Sequence, residues 1–100
     1  MDKSPYVYAV FPSAKYKRLR KLSQKRGLDM DLLDWCVDQL AQDIPLPANW
    51  KDRPLKGHLK RFRECHIGGT GDWLLIYEKR DADMILYLIG TGSHSDLLGY

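Results

Sequence analysis

The sequence predicts an α+β domain: a small, mainly antiparallel sheet with an N-terminal helical hairpin packed on it, in the order β-α-α-β-β-β. Three observations carry this reading. A short β-branched and aromatic run opens the chain. Two segments of helical period follow, separated by a glycine. Three further apolar runs then come in close succession, divided by turn residues.

The elements follow in order. "YVYAVF", residues 6–11, reads as the first strand. Pro12-Ser13 opens a helix to about Lys25 with Ser13 as N-cap, and Tyr16, Leu19 and Leu22 form its apolar stripe. Gly27 stops it, and Asp29 starts a second helix to about Gln42. That helix buries Leu33, Val37 and Leu40, flanked by Leu32 and Cys36. So short a link predicts an antiparallel helical hairpin. "IPLPANW" is a proline-stiffened loop. Strands at about 59–67, 73–79 and 84–91 complete the sheet. The last two, "WLLIY" and "MILYLI", are apolar on both faces and are therefore predicted to be central.

One hundred residues read as one domain, spanning 1–100, with a modest core. No segment is apolar for long enough to span a bilayer, and the N-terminus lacks a secretory pattern. Neither a membrane partner nor a disulfide framework is expected of two cysteines, Cys36 and Cys65, outside any CxxC spacing; the simpler context is a reducing cytoplasm. The charge is uneven. Residues 15–26 hold seven basic residues and no acid, and residues 29–43 hold five acids and no base. Residues 51–63, "KDRPLKGHLKRFR", are basic again with a single acid. A basic stripe is the footprint of a polyanion partner, and the acidic second helix is placed to neutralise part of the first.

The candidate site lies in "FRECHIGGTGDW", residues 62–73. With loops at 68–71 and 80–83, hairpin arithmetic sets His66 opposite Trp73, Lys79 opposite Met84 and Asp72 opposite Thr91. His94, in "GTGSHSDLLGY", then falls just beyond the same rim. His66, Asp72 and His94 converge on one sheet edge, although strict alternation points His66 and Asp72 to opposite faces unless a bulge or the glycines intervene. The glycines match neither a dinucleotide-binding loop nor a P-loop. No pair among His58, Cys65, His66 and His94 has zinc spacing, so no metal and no cofactor is expected. His58 reads as surface, Cys65 as inward-facing, and Trp35 and Trp50 as packing residues.

Histidine acid–base chemistry on a phosphodiester fits these residues. RNA carries its own nucleophile, the 2′-hydroxyl. Cleavage needs a base for its proton, cations for the phosphorane charge and an acid for the 5′-oxygen. Histidine serves as acid or base near neutrality. Lys51, Arg53, Lys56, Lys60, Arg61 and Arg63 supply cations, and Trp73 offers a face to a base.

"LPANWKDRPLKGHLKRFRECHI", "DWLLIY" and "TGSHSDLLG" together resemble the YafQ-like branch of the RelE/ParE bacterial toxins, most densely over residues 46–99. Five motifs occur in the family's order: LPxxxKD, PLxG, R-[ED]-x-H, DWxLIY and TG[ST]H. The resemblance implies a RelE-like fold and a type II toxin that is a metal-independent endoribonuclease cutting mRNA in the ribosomal A site. It implies a cognate antitoxin as inhibitor, with operator DNA bound only through that complex. Family catalytic positions fall on His66, Asp72 and His94, and a phosphate-contacting arginine on Arg63. Two positions depart from the pattern. Arg53 stands where the family often has a catalytic histidine, and arginine cannot exchange a proton at neutral pH. Leu98 stands where an aromatic is favoured near the C-terminus; it can pack on a base but not stack, with Tyr100 as the compensating candidate. The alternative reading is a toxin-fold protein that acts by binding, as a gyrase-poisoning relative or a catalytically weakened repressor partner.

Overall fold

The first strand, β1 (Ala9–Pro12), starts later than the sequence predicts. The backbone N–H groups of Val7 and Tyr8 both turn to the Ala41 carbonyl instead of to the sheet. The computed structural model in which this is seen describes residues 4–98.

The helices α1 (Ala14–Lys25) and α2 (Met30–Ala41) agree with expectation to within a residue, because their signals are local. The Ser13 hydroxyl accepts the Tyr16 N–H, and the Asp29 carboxylate accepts the N–H groups of Asp31 and Leu32. Gly27, at φ +80°, takes the left-handed conformation between them. Arg20 and Asp34 lie equally far to either side of Gly27 and form a bidentate ion pair, the register of an antiparallel hairpin. This is the charge compensation between the two helices that the sequence suggests.

The buried faces differ in detail. On α1, Tyr16, Leu19 and Ser23 are buried, while Leu22 is exposed. Each three-residue step falls about 60° short of a turn, so the run 16-19-22 drifts off the face that 16-19-23 holds. The Ser23 hydroxyl donates to the Leu19 carbonyl, which makes its burial tolerable. On α2, Cys36 rather than Val37 sits at the centre, with Leu33, Leu40 and Ala41.

The other strands are β2 (Arg53–Pro54), β3 (Arg63–His66), β4 (Leu74–Arg80) and β5 (Ile85–Gly92), and His94–Leu98 forms α3. The sheet order is β1-β5-β4-β3-β2; only β1 and β5 are parallel. β4 and β5 are interior strands, as their two-sided apolarity implies. Two elements are absent from the predicted order: the short β2 and the terminal α3. Residues 59–62, expected in strand, instead form a 3-10 turn and bend that let β2 fold back on β3 (Leu55 N–H to Phe62 carbonyl, 2.9 Å). Gly57, at φ +65°, enters that turn.

One sheet face carries Cys65, Leu75, Tyr77, Leu86 and Leu88, packed with Tyr16 of α1 and the apolar face of α2. Trp50 is buried beside them, and the more exposed Trp35 meets it edge-on at 5.3 Å. Strand alternation then places Glu64 and His66, and Arg53 paired opposite Glu64, on the other face. That face is where the site lies.

Candidate active site

Two departures from regular pairing build the site. The β4–β5 turn occupies 81–84 rather than 80–83, with Met84 left-handed (φ +54°). Lys79 therefore faces Leu86, not Met84. Farther along, the register shifts again, with Tyr77 opposite Leu88 but Ile76 opposite Gly90, so one extra residue of β5 bulges out. Leu75, not Asp72, ends opposite Thr91, and Leu74 opposite Gly92. Continuing by two residues brings Asp72 against His94. His66 likewise faces Leu74 instead of Trp73.

The Asp72–His94 contact is direct. Asp72 Oδ1 accepts the His94 backbone N–H at 3.1 Å and is also bonded to the ring Nδ1. Asp72 is exposed, yet its carboxyl sits below its ordinary range, chiefly through the ring bond and then through the backbone N–H. The turn that delivers it holds Gly68, Gly69 and Gly71, all near φ +80°. A Cβ on Gly69 would stand 2.4 Å from Asn49 Nδ2, so this turn is packed against its neighbour as well as left-handed.

His66 meets the same centre from β3. Its ring centroid lies 6.1 Å from that of His94, tilted by 54°. His66 Nδ1 is buried and has no hydrogen-bond partner among the described residues. Across the groove, Arg53 Nε donates to Glu64 Oε1 at 3.2 Å. Arg53, Pro54, Leu55, Lys56, Leu59, Glu64 and His94 line a cavity of about 430 Å³. The structure thus brings together His66, Asp72, His94, Arg53 and Lys56. It adds Glu64, only 7 % exposed, which the sequence reading passed over. The available signal was its place two residues before His66, on the same face of a strand.

The remaining cations lie elsewhere. Arg63 alternates to the helix-covered side, where its Nε donates to Asp52 Oδ1 (3.2 Å) and to the Tyr77 hydroxyl (3.3 Å). Lys60, Arg61 and Arg63 line a separate polar groove with Asp43, Asp52, Lys79 and Asp81. Lys51 is exposed and left-handed at the end of the turn Ala48–Trp50, before the strand that carries Arg53. Trp73 is half-buried, and its indole N–H donates to Thr91 Oγ1 at 2.9 Å. Leu98 ends α3; its side chain, and Tyr100, lie outside the described residues. His58 is exposed. Cys36 and Cys65 are both fully buried with their sulfurs 3.7 Å apart, and the bond with Cys36, then burial, pushes the Cys65 thiol up.

Comparisons with known proteins identify the family of the fold. The family model for the bacterial toxin of type II toxin–antitoxin systems, YafQ, matches residues 8–99. A curated relative, the mRNA interferase toxin YafQ of Escherichia coli K12, is 40% identical over 88 residues, 87% of this chain and 91% of that one. A crystal structure of the E. coli DinJ–YafQ toxin–antitoxin complex superposes with a TM-score of 0.81 at 37% identity, covering 93% of this chain and 99% of that one. A metal-bound toxin from Helicobacter pylori superposes equally well, with a TM-score of 0.81 at 41% identity over 90% of this chain and 98% of that one. Here, among the described residues, no group of three or more His, Cys, Asp or Glu side chains is disposed to hold a metal ion. With its RelE-like order of elements and the family match over nearly its whole length, the chain belongs to the YafQ family of type II toxin–antitoxin toxins.

Proposed function

We propose that this chain, acting as one domain, is a ribosome-dependent mRNA endoribonuclease that uses histidine acid–base chemistry without a metal. The observation that carries the reading is the pair of imidazoles with ring centroids 6.1 Å apart, one of which, His94, is bonded to Asp72 and lines a groove that also presents Arg53. A phosphodiester lying between the rings has a base on one side and an acid on the other. His66 takes the proton of the 2′-hydroxyl, whose oxygen attacks the phosphorus. His94 gives a proton to the departing 5′-oxygen. The products are a 2′,3′-cyclic phosphate and a free 5′-hydroxyl. Asp72 holds His94 through Nδ1 and leaves Nε2 for the substrate, the usual role of a carboxylate beside a working histidine.

Arg53 takes the role of fixed cation on the phosphorane, oriented by Glu64, with Lys56 drawing the backbone into the groove. Lys51 extends that field. Lys60, Arg61 and Arg63 serve the flanking RNA or the ribosome, and Trp73 borders the base. The E. coli relatives crystallised with DinJ support a cognate antitoxin here too, binding the toxin in the cytoplasm where its mRNA target is.

Induction of the chain alone in bacteria is the direct test. Growth arrest with primer-extension stops inside translated codons is the expected result, with rescue by the neighbouring antitoxin gene. Arrest with intact mRNA rejects the nuclease reading. Toxicity that survives His94→Ala assigns the protein to the class that acts by binding.

A further inference from the structure

We propose that Arg26 and Asp96 are positioning residues that hold His94 in its working orientation from the far end of α1. The proposal rests on the reading of His94 as proton donor. His94 is the first residue of a five-residue helix. A helix that short does not hold its own shape, so its orientation must come from contacts outside it.

Those contacts converge on one carboxylate. Ser93 and Asp96 form a reciprocal cap around His94: Asp96 N–H donates to Ser93 Oγ at 3.1 Å, and Ser93 N–H donates to Asp96 Oδ2 at 3.0 Å. The same Oδ2 accepts Arg26 Nη1 at 2.8 Å. Arg26 is the C-cap residue of α1, seventy positions earlier in the chain. The fit allows little play. Gly92 stands at φ +146°, and a Cβ there would lie 2.8 Å from Asp96 Oδ2. One residue past Asp96, Leu97 fills the space over Gly90, where a Cβ would meet its Cδ2 at 2.6 Å. The Asp96 carboxyl is held down to about 2, first by Arg26 and then by the Ser93 N–H, so the anchor is charged throughout the working range.

The segment is therefore gripped from two sides. Asp72 bonds His94 itself, and Asp96 locks the residue before it and ties the helix to α1. Neither Arg26 nor Asp96 lines the groove, so neither touches the substrate in this reading. Their effect passes through the placement of His94, and a shift of about 1 Å at a catalytic group costs about 10²-fold in rate.

Asp96→Ala, Arg26→Ala and Arg26→Lys test this, by single-turnover cleavage on programmed ribosomes and by ¹³C NMR titration of the Asp72 carboxyl. The sign of the Asp72 shift separates positioning from charge. Removing the Asp96 charge by itself lowers the Asp72 midpoint, because like charges oppose ionisation. Loosening His94 raises it, because Asp72 loses the two bonds that stabilise its anion. The expected result for Asp96→Ala is an upward shift, with the rate down about tenfold to a hundredfold and KM unchanged. Arg26→Ala, a half-exposed residue whose exposed ion pair adds little to global stability, is expected to keep the fold and show the same loss of rate, which Arg26→Lys largely restores. An unchanged or lowered Asp72 midpoint in Asp96→Ala, or full activity of Arg26→Ala with an unshifted midpoint, overturns the proposal. If the midpoint rises while both Asp96→Ala and His94→Ala cleave at full rate, the positioning stands and the catalytic reading of His94 falls.

Discussion

Asp72 Oδ1 receives two bonds from one residue, the backbone N–H of His94 at 3.1 Å and its ring Nδ1. Both stabilise the carboxylate, so the Asp72 pKa is lowered. A lowered pKa means that the contact supports the folded rim at any pH above the ordinary carboxylate value. It is lost only as pH falls through the lower, folded value. His94→Ala removes the ring bond, the larger cause, and should move the Asp72 midpoint up toward the ordinary carboxylate range, read by ¹³C NMR.

The groove predicts different kinetic signatures for its cation and its imidazoles. Arg53→Ala should lower single-turnover cleavage by about 10²–10³ and leave the shape of the pH–rate profile in place, since arginine exchanges no proton there. His66→Ala and His94→Ala should each remove one limb of that profile. Retention of both limbs in His94→Ala would mean that another group is the acid.

Arg63 should behave as a stability residue more than a catalytic one. It is held by Asp52 and Tyr77 on the helix-covered side, away from His94. Burial and the Asp52 bond already push the Tyr77 hydroxyl up, so it stays a donor to Asp52 at 2.5 Å. Arg63→Ala should lower unfolding free energy by about 1–2 kcal/mol in urea titrations while the cleavage rate on saturating ribosomes changes only a few-fold. A rate loss as large as that of Arg53→Ala would place Arg63 on the scissile phosphate after all.

Cys36 and Cys65 face each other in the core, where the bond with Cys36 and then burial keep Cys65 a thiol at neutral pH. Both side chains are closed to solvent, so neither cysteine should be alkylated by iodoacetamide in the native protein, and both should react once denaturant unfolds it. Mass spectrometry of the labelled chain checks this. Fast native labelling at pH 7 would show that the core opens locally.

Much of the fold was legible because its signals are short-range. Ser13 and Asp29 cap helices using N–H groups two or three residues away, and Gly27 ends α1 by its own backbone. The apolarity of "WLLIY" and "MILYLI" marked the interior strands for the same reason. The resemblance to the toxin family also singled out His66, Asp72 and His94 from their flanking motifs. Helix faces were less secure, since one step of three or four residues separates Leu22 from Ser23, and only the packed neighbour decides between them.

The chain by itself therefore determined the class of fold, the caps, the interior strands and the types of residue at the rim. Tertiary structure decided which of those residues meet. Moving the β4–β5 turn by one residue and adding one bulged residue in β5 shifted the pairing by three in all, and this carried Asp72 from Thr91 to His94. Tertiary packing also drew Arg26 to Asp96 across seventy residues. Such outcomes depend on strand register and on contacts between distant elements. A single-residue slip there reverses the face of every side chain, and no local pattern in the sequence records it.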